Sequence, residues 1–250
     1  MKLKFATYNV CHCGDYSMHK PGDPFQLKII TVDKTAEAIK TVGADIIGLN
    51  EVFDDGNREE FKHQTQELAR LAGYPYCYFA KGFDYKWCVI GNAILSKYPI
   101  LKFEAVPVPT VPKEERGKGW YEDRVIAVAD IDVNGNMIKV LASHFGLIPV
   151  ELERIVNKSC EIIDNANAPC VIMGDFNVAP NHDGIKPILE RLKSCAEEMG
   201  NDEPTFASYD PKVHIDYICV PKDSEVLSYT VHKLKASDHM PISADVDIKF

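Results

Sequence analysis

Cys170-Val171-Ile172-Met173-Gly174-Asp175-Phe176-Asn177 is the stretch on which the fold class turns. An apolar strand run ends on Gly-Asp-Phe-Asn, so a carboxylate and an amide stand just past the strand's end. That is where α/β sheets present side chains to a ligand crevice. Before it, Leu152, Ile155, Val156, Ser159 and Ile163 fall on one face of a helix from about Val150 to Asn165. After it, a short helix holds Ile185, Ile188, Leu189 and Leu192.

The same alternation of helix and strand extends outward. Leu3 to Val10 reads as a first strand, and Val32, Ala36, Ile39 and Val42 form a helical face closed by Gly43. Ala44 to Leu49 is a nearly continuous apolar run, the pattern of a strand buried on both faces, and it delivers Glu51 at its end. A helix opening at Asn57, with Glu60 at capping-box spacing, is expected to carry Phe61, Leu68 and Leu71 inward and to stop at Gly73. Tyr76 to Ala80 and Asn92 to Ser96 are short strands. Arg124 to Val133 pairs with Asn136 to Ser143 across Asn134-Gly135, a strong two-residue hairpin signal, and that hairpin ends on His144. Strands over Ile215 to Val220, Glu225 to Leu234 and Ile242 to Ile248 close the chain, with Ser237-Asp238-His239 in the last turn. With 46% apolar residues and no Gly/Ser/Pro linker, the 250 residues read as one α/β domain.

Asn9, Glu51, His144, Asp175, Asn177, Asp216, Asp238 and His239 all lie at or just beyond the ends of apolar strand runs. Taken singly, a carboxylate after a strand is a turn former or cap and a lone His a core or surface residue. Together they are the inventory for a hard cation and an activated water, without a Ser or Cys nucleophile motif. The net charge of −9 repels phosphate backbones, which argues against tight binding of duplex DNA. No apolar stretch is long enough to span a membrane and no export signal opens the chain, which points to the cytoplasm and to reduced thiols for the eight cysteines. Cys11-His12-Cys13 lacks a second half with zinc spacing, and His12, His19, His63, His182, His214 and His232 read as surface or loop residues.

Thr7-Tyr8-Asn9-Val10, Ile47-Gly48-Leu49-Asn50-Glu51-Val52, Gly91-Asn92-Ala93-Ile94-Leu95-Ser96, Ser143-His144-Phe145, Gly174-Asp175-Phe176-Asn177, His214-Ile215-Asp216-Tyr217 and Ser237-Asp238-His239-Met240-Pro241 resemble, in order, the motifs of the endonuclease/exonuclease/phosphatase family. The resemblance runs from about residue 3 to 244. It implies a DNase I-like two-sheet α/β sandwich with helices packed outside. It also implies a Mg²⁺-dependent phosphoester hydrolase, phosphodiesterase or phosphatase, with Mn²⁺ as a substitute ion. By that similarity Glu51 matches the metal-binding glutamate, with Asn9 beside it and Asp238 contributing directly or through water. Asp175 matches the residue that orients or deprotonates the attacking water, Asn177 one that positions it, and His239 with Asp216 the family's His and Asp pair. His144 would hydrogen-bond a phosphoryl oxygen, and Arg124 falls near a basic position of some members.

Two departures shape the expected substrate. Cys11 stands where abasic-site endonucleases place an acidic residue, and Ser143-His144-Phe145 resembles the Thr-His-Leu type motif of the DNase I, deadenylase and lipid or inositol phosphoesterase branches. The alternatives are a sequence-general DNA or RNA nuclease and a non-catalytic module that keeps the fold. The stretch Pro107 to Tyr121, with Lys113, Arg116, Lys118, Trp120 and Tyr121, reads either as a solvated loop or as a small anion site beside the crevice; Trp87 is a further loop aromatic. The anion-site reading suits a phosphorylated small molecule, a lipid head group or a short single strand of nucleic acid.

Overall fold

The computed structural model describes residues 1–23, 29–54, 63–84, 88–118 and 121–250. Among them are two six-stranded sheets. The first runs β11 (Glu225–Val231), β12 (Ile242–Asp247), β1 (Lys2–Asn9), β2 (Ile46–Asp54), β4 (Val89–Ser96) and β3 (Tyr76–Asp84). The second runs β5 (Ile100–Pro107), β6 (Val125–Val133), β7 (Asn136–Ser143), β8 (Cys170–Asp175), β10 (Asp216–Pro221) and β9 (Leu192–Ser194). The sheets pack face to face through Phe5, Ile46 and Ile94 on one side and Ala127, Val140 and Met173 on the other. Helices α1 (Val32–Val42) and α2 (Gln64–Ala72) cover the outer face of the first sheet, burying Ile39 and Leu68 against Tyr8 and Leu49. Helices α3 (Pro149–Asp164) and α4 (Lys186–Leu189) cover the second, burying Ile155 and Ile188 against Leu141 and Ile172. This is the expected two-sheet α/β sandwich with helices outside.

Local chemistry accounts for several elements. Gly43 ends α1 in the left-handed region at φ 65°, its N–H bonding Ile39 O. Asn134 and Gly135 both take positive φ, 54° and 87°, as a two-residue I′ hairpin turn requires. Gly48 lets the sheets meet, since a Cβ there would lie 2.9 Å from Ala142 Cβ. The helix start expected at Asn57 lies outside the described residues; α2 begins at Gln64, after His63 in left-handed conformation. No helix among the described residues is long and apolar enough to cross a membrane.

Strand direction gathers the polar residues. β1 and β2 are parallel, as are β7 and β8, so the C-terminal ends of each pair coincide. β12 runs antiparallel to β1, and β10 antiparallel to β8, so their first residues lie beside those same ends. Asn9, Glu51, His144, Asp175, Asp216 and His239 thereby converge on one end of the sandwich from positions spread over nearly the whole chain.

Candidate active site

Asp216 and Asp175 are direct register partners of the β10 and β8 pair, both almost fully buried. Like charges opposed across a ladder destabilise it, and His239 lies between them. Its Nδ1 donates to Asp216 Oδ2 at 2.9 Å, and its Nε2 is 3.5 Å from Asp175 Oδ2. Burial works against charge on this imidazole, yet the carboxylates of Asp216, Asp175 and Asp238 outweigh it and hold His239 protonated well above its ordinary range. Burial pushes the Asp175 carboxyl up to about 7; His239 opposes that shift and the Asp216 charge adds to it. The centre is therefore one imidazolium flanked by carboxylates, with Asp175 poised to take up or release a proton near neutrality.

Gly174 makes the close approach beneath Asp175 possible. Its φ is +149°, and a Cβ would fall 1.8 Å from Ser143 O on β7. Asn50 then ties the sheets together at the floor of the cleft. Its Oδ1 accepts from Asp175 N at 3.0 Å, its Nδ2 donates to Asn92 Oδ1 at 2.8 Å, and Asn92 Nδ2 donates to Val125 O at 2.8 Å. Asn50→Ala strands two buried polar groups at once, so a loss of roughly 3 kcal/mol is expected in urea unfolding, at 1–3 kcal/mol for each orphaned group. A loss under 1 kcal/mol would show that this bridge does not hold the sheets.

Plain strand alternation would send Asn50 and Glu51 to opposite faces. The β2–β4 register shifts between Leu49 and Val52, and Glu51 sits in left-handed conformation at φ 52°. This bulge re-aims the glutamate, and both residues serve the same end of the sandwich. Asn9 Nδ2 donates to Glu51 Oε1 at 3.0 Å and to Asp175 Oδ2 at 3.1 Å, while its Oδ1 accepts from Cys11 N at 3.1 Å. Asn9 is expected as a metal ligand beside Glu51; in this arrangement its Nδ2 faces the two acids. An amide coordinates through oxygen, and the backbone N–H of Cys11 holds that oxygen away from the carboxylates. Asn9 is a donor that links the two acids.

Glu51 and Asp238 fit a divalent cation. Burial raises both carboxyls; the Glu51 charge adds to the shift of Asp238, and the Glu122 charge to that of Glu51. Two desolvated carboxylates in mutual repulsion beside a cavity form a donor set that a hard dication stabilises. Ser237 Oγ lies 3.0 Å from Asp238 Oδ1 and 2.7 Å from Asn9 O, which fixes the orientation of Asp238.

His144 is flanked by donors. Arg124 Nη1 is 3.1 Å from its Nδ1, and Asn177 Nδ2, which also donates to Phe145 O at 2.9 Å, is 2.9 Å from its Nε2. Arg124 can only donate, so Nδ1 carries the lone pair and Nε2 the hydrogen, 3.5 Å from Asp175 Oδ2; burial followed by the Arg124 charge pushes the His144 pKa well below its ordinary value. His144 is neutral. Asn177, at φ 55°, donates its backbone N–H to Asp175 Oδ1 at 2.8 Å, so it orients Asp175 as well as facing the cleft. Arg124 lines the cleft but turns its guanidinium inward, 3.3 Å from Glu122 Oε2 and, through Nε, 3.6 Å from Glu151 Oε1.

The cavity over these groups has a volume of about 460 Å³, and Ile90, Leu147, Phe206 and Ile215 give it apolar walls. Phe206 packs its ring 4.7 Å from that of His239. None of Lys113, Arg116, Lys118 and Tyr121 lines the cavity. Arg116 stacks its guanidinium 3.7 Å from the Tyr121 ring centre and donates to Val111 O at 2.8 Å, so the two brace their own loop. Trp120 and Trp87 lie outside the described residues.

Sequence reasoning missed His12, Asn50, Asn92 and Phe206. Asn50 and Asn92 stood in quoted motifs, at strand positions where a buried amide is unusual; His12 stood in the Cys11-His12-Cys13 cluster, a half-site set aside because no second half with zinc spacing follows, and Phe206 carried no local signal. His19 and His214 lie in loops as expected, but buried instead of exposed, and His12, in a short turn after β1, faces Glu51.

Comparison with known proteins agrees with this architecture. YbhP of Escherichia coli is 28% identical over 93% of this chain and 94% of its own. A Beutenbergia cavernae endonuclease/exonuclease/phosphatase structure superposes with TM-score 0.78 at 21% identity, over 99% of this chain and 72% of that one. A mannosyl-6-phosphatase of Bacteroides thetaiotaomicron superposes with TM-score 0.71 at 18% identity, over 98% of this chain and all of that one. The profile of the Endonuclease/Exonuclease/phosphatase family matches residues 6–239, from the strand bearing Asn9 to the turn bearing His239, and the chain belongs to that family.

Proposed function

We propose that this chain hydrolyses a compact phosphorylated molecule by direct attack of water on phosphorus, with a divalent cation, Mg²⁺ or Mn²⁺ in its place, held by Glu51 and Asp238. The observation that carries the reading is the Asp216–His239–Asp175 register pair set beside Glu51 through Asn9. When bound, the cation neutralises charge on the phosphoryl oxygens. Asp175, oriented by Asn9 Nδ2 and Asn177 N, accepts the proton of the attacking water at Oδ2. The imidazolium of His239, beside that oxygen, donates toward the charge that develops on phosphorus. Asp216 keeps His239 in place and protonated.

Three observations favour a compact substrate over a long nucleic acid: the net charge of −9, a cavity of about 460 Å³, and the absence of the loop cations from its lining. The fold likeness to a mannosyl-6-phosphatase is in keeping with this. A lipid head group and a free phosphorylated metabolite share this chemistry.

The test is hydrolysis of a panel by the purified chain with Mg²⁺: a chromogenic phosphodiester, a phosphomonoester, an inositol phosphate, a phospholipid, RNA and plasmid DNA. A small phosphoester is expected to be the best substrate, with activity abolished by EDTA. Plasmid DNA cleaved fastest, or full activity in excess EDTA, would overturn the reading. Glu51→Gln, which removes charge and keeps shape, is expected to raise the metal concentration for half-maximal rate by about tenfold or more. Lys113→Gln with Lys118→Gln is expected to leave KM for the best substrate within about twofold, because neither lysine lines the cavity. A several-fold rise would restore the loop as a recognition surface.

A further inference from the structure

Three consecutive residues, Cys11, His12 and Cys13, have positive φ, at 41°, 60° and 64°, a backbone that non-glycine residues rarely adopt. Hydrogen bonds from Cys13 N to Val10 O at 2.8 Å and from Gln64 Nε2 to His12 O at 3.2 Å maintain it. Its effect is to lay the His12 ring on Phe53, with centroids 3.6 Å apart, and to aim the ring at Glu51.

The two ring nitrogens then have different tasks. His12 Nδ1 is 3.1 Å from Glu51 O, a carbonyl that can only accept, so Nδ1 carries the hydrogen and Nε2 the lone pair. Nε2 stands 3.3 Å from Glu51 Oε2. Metal-ligating histidines usually donate their second nitrogen to a carbonyl or carboxylate in this way, which fixes tautomer and ring plane. With ligand bonds near 2.1 Å, two donors on one ion are about 3.0 Å apart at a right angle and about 3.4 Å apart in a tetrahedron, which brackets the spacing of Nε2 and Oε2. Cys11 Sγ lies within 4.8 Å of the same two donors, but it is 3.4 Å from Tyr16 Oη and does not line the cavity, so His12 and Glu51 are the pair that face it.

We propose that His12 Nε2 joins Glu51 Oε2 as a ligand of the divalent cation, and that this nitrogen biases the site toward a first-row transition dication over Mg²⁺. The inference rests on the reading that the cleft holds a divalent cation. Imidazole suits borderline transition ions, whereas Mg²⁺ favours oxygen.

The experiment loads the metal-stripped full chain with Mn²⁺ and records electron spin echo modulation, with titration calorimetry of Mn²⁺ and Mg²⁺ alongside. Nitrogen-14 modulation is expected for the unaltered chain. His12→Asn, tolerated in left-handed backbone, is expected to abolish it, to weaken Mn²⁺ at least tenfold and to change Mg²⁺ less than threefold. No nitrogen modulation in the unaltered chain, or modulation retained in His12→Asn, would overturn the assignment; the first needs no variant to fold. Nitrogen modulation without hydrolysis of any panel substrate would sink the hydrolase reading and leave His12 as a ligand. Hydrolysis without nitrogen modulation would do the reverse.

Discussion

Asp175→Asn is expected to lower kcat by about three orders of magnitude or more, with KM little changed and a thermal midpoint equal to or above that of the unaltered chain. The rate effect follows from removing the group that takes the water's proton as the transition state forms, a contribution of typically 10²–10⁴-fold for general base action alone. The stability effect has two opposed parts. The new amide sets a nitrogen against Asn9 Nδ2 or Asn177 N, both of which donate to Asp175 now. It also removes one of two buried carboxylates opposed in the β8–β10 register, a charge that burial and Asp216 already disfavour. The second part balances or exceeds the first, as is common where active sites hold strained charge. Steady-state kinetics and calorimetry on one preparation check both parts. Near-normal turnover would remove Asp175 from the mechanism, and an unfolded variant would show its role to be structural.

His239→Ala is expected to lower kcat by a similar factor and, unlike Asp175→Asn, to weaken the fold. It leaves Asp175 and Asp216 facing each other without the cation between them. Breaking a buried ion pair from one side costs about 3–5 kcal/mol. The sign of the pH dependence follows from Asp175. Its folded-state pKa, about 7, is raised above the unfolded value, so its contribution is fully present below the unfolded carboxylate range and is lost as pH rises through the folded value. In urea unfolding in EDTA, the stability of the unaltered chain should therefore fall between pH 5 and pH 7 relative to that of Asp175→Asn, which lacks this titration. A difference between the two that does not change over that range would contradict the burial of the Asp175 carboxyl.

Much of this architecture is legible in the sequence because local rules govern it. The I′ turn at Asn134-Gly135, the left-handed cap at Gly43 and the apolar run of β8 each follow from a few adjacent residues. The convergence of polar residues was legible in outline, since each stood at a strand end. What escaped depends on contacts far apart in sequence or on backbone exceptions. Asn50 meets Asp175 across 125 positions, through sheet stacking that no periodicity encodes. The bulge at Glu51 and the left-handed run at His12 break the alternation from which facing is inferred. The family resemblance set Asn9 beside Glu51, and the hydrogen bond from Cys11 N shows which end of its amide faces the acids. The Pro107 to Tyr121 stretch read in sequence either as a solvated loop or as an anion site, and the partners of Arg116, the Tyr121 ring and Val111 O, are contacts that its composition does not encode.

The central claim is that Asp175 and His239 direct a water to phosphorus with no covalent intermediate on the protein. The most direct measurement is a single-turnover hydrolysis, in oxygen-18 water with excess chain over substrate, of the panel phosphoester turned over fastest. Direct attack places one heavy oxygen in the phosphoryl product and none in the released alcohol, in the first turnover as in later ones. Heavy oxygen in the alcohol, or a first-turnover phosphoryl product without label, would contradict the account.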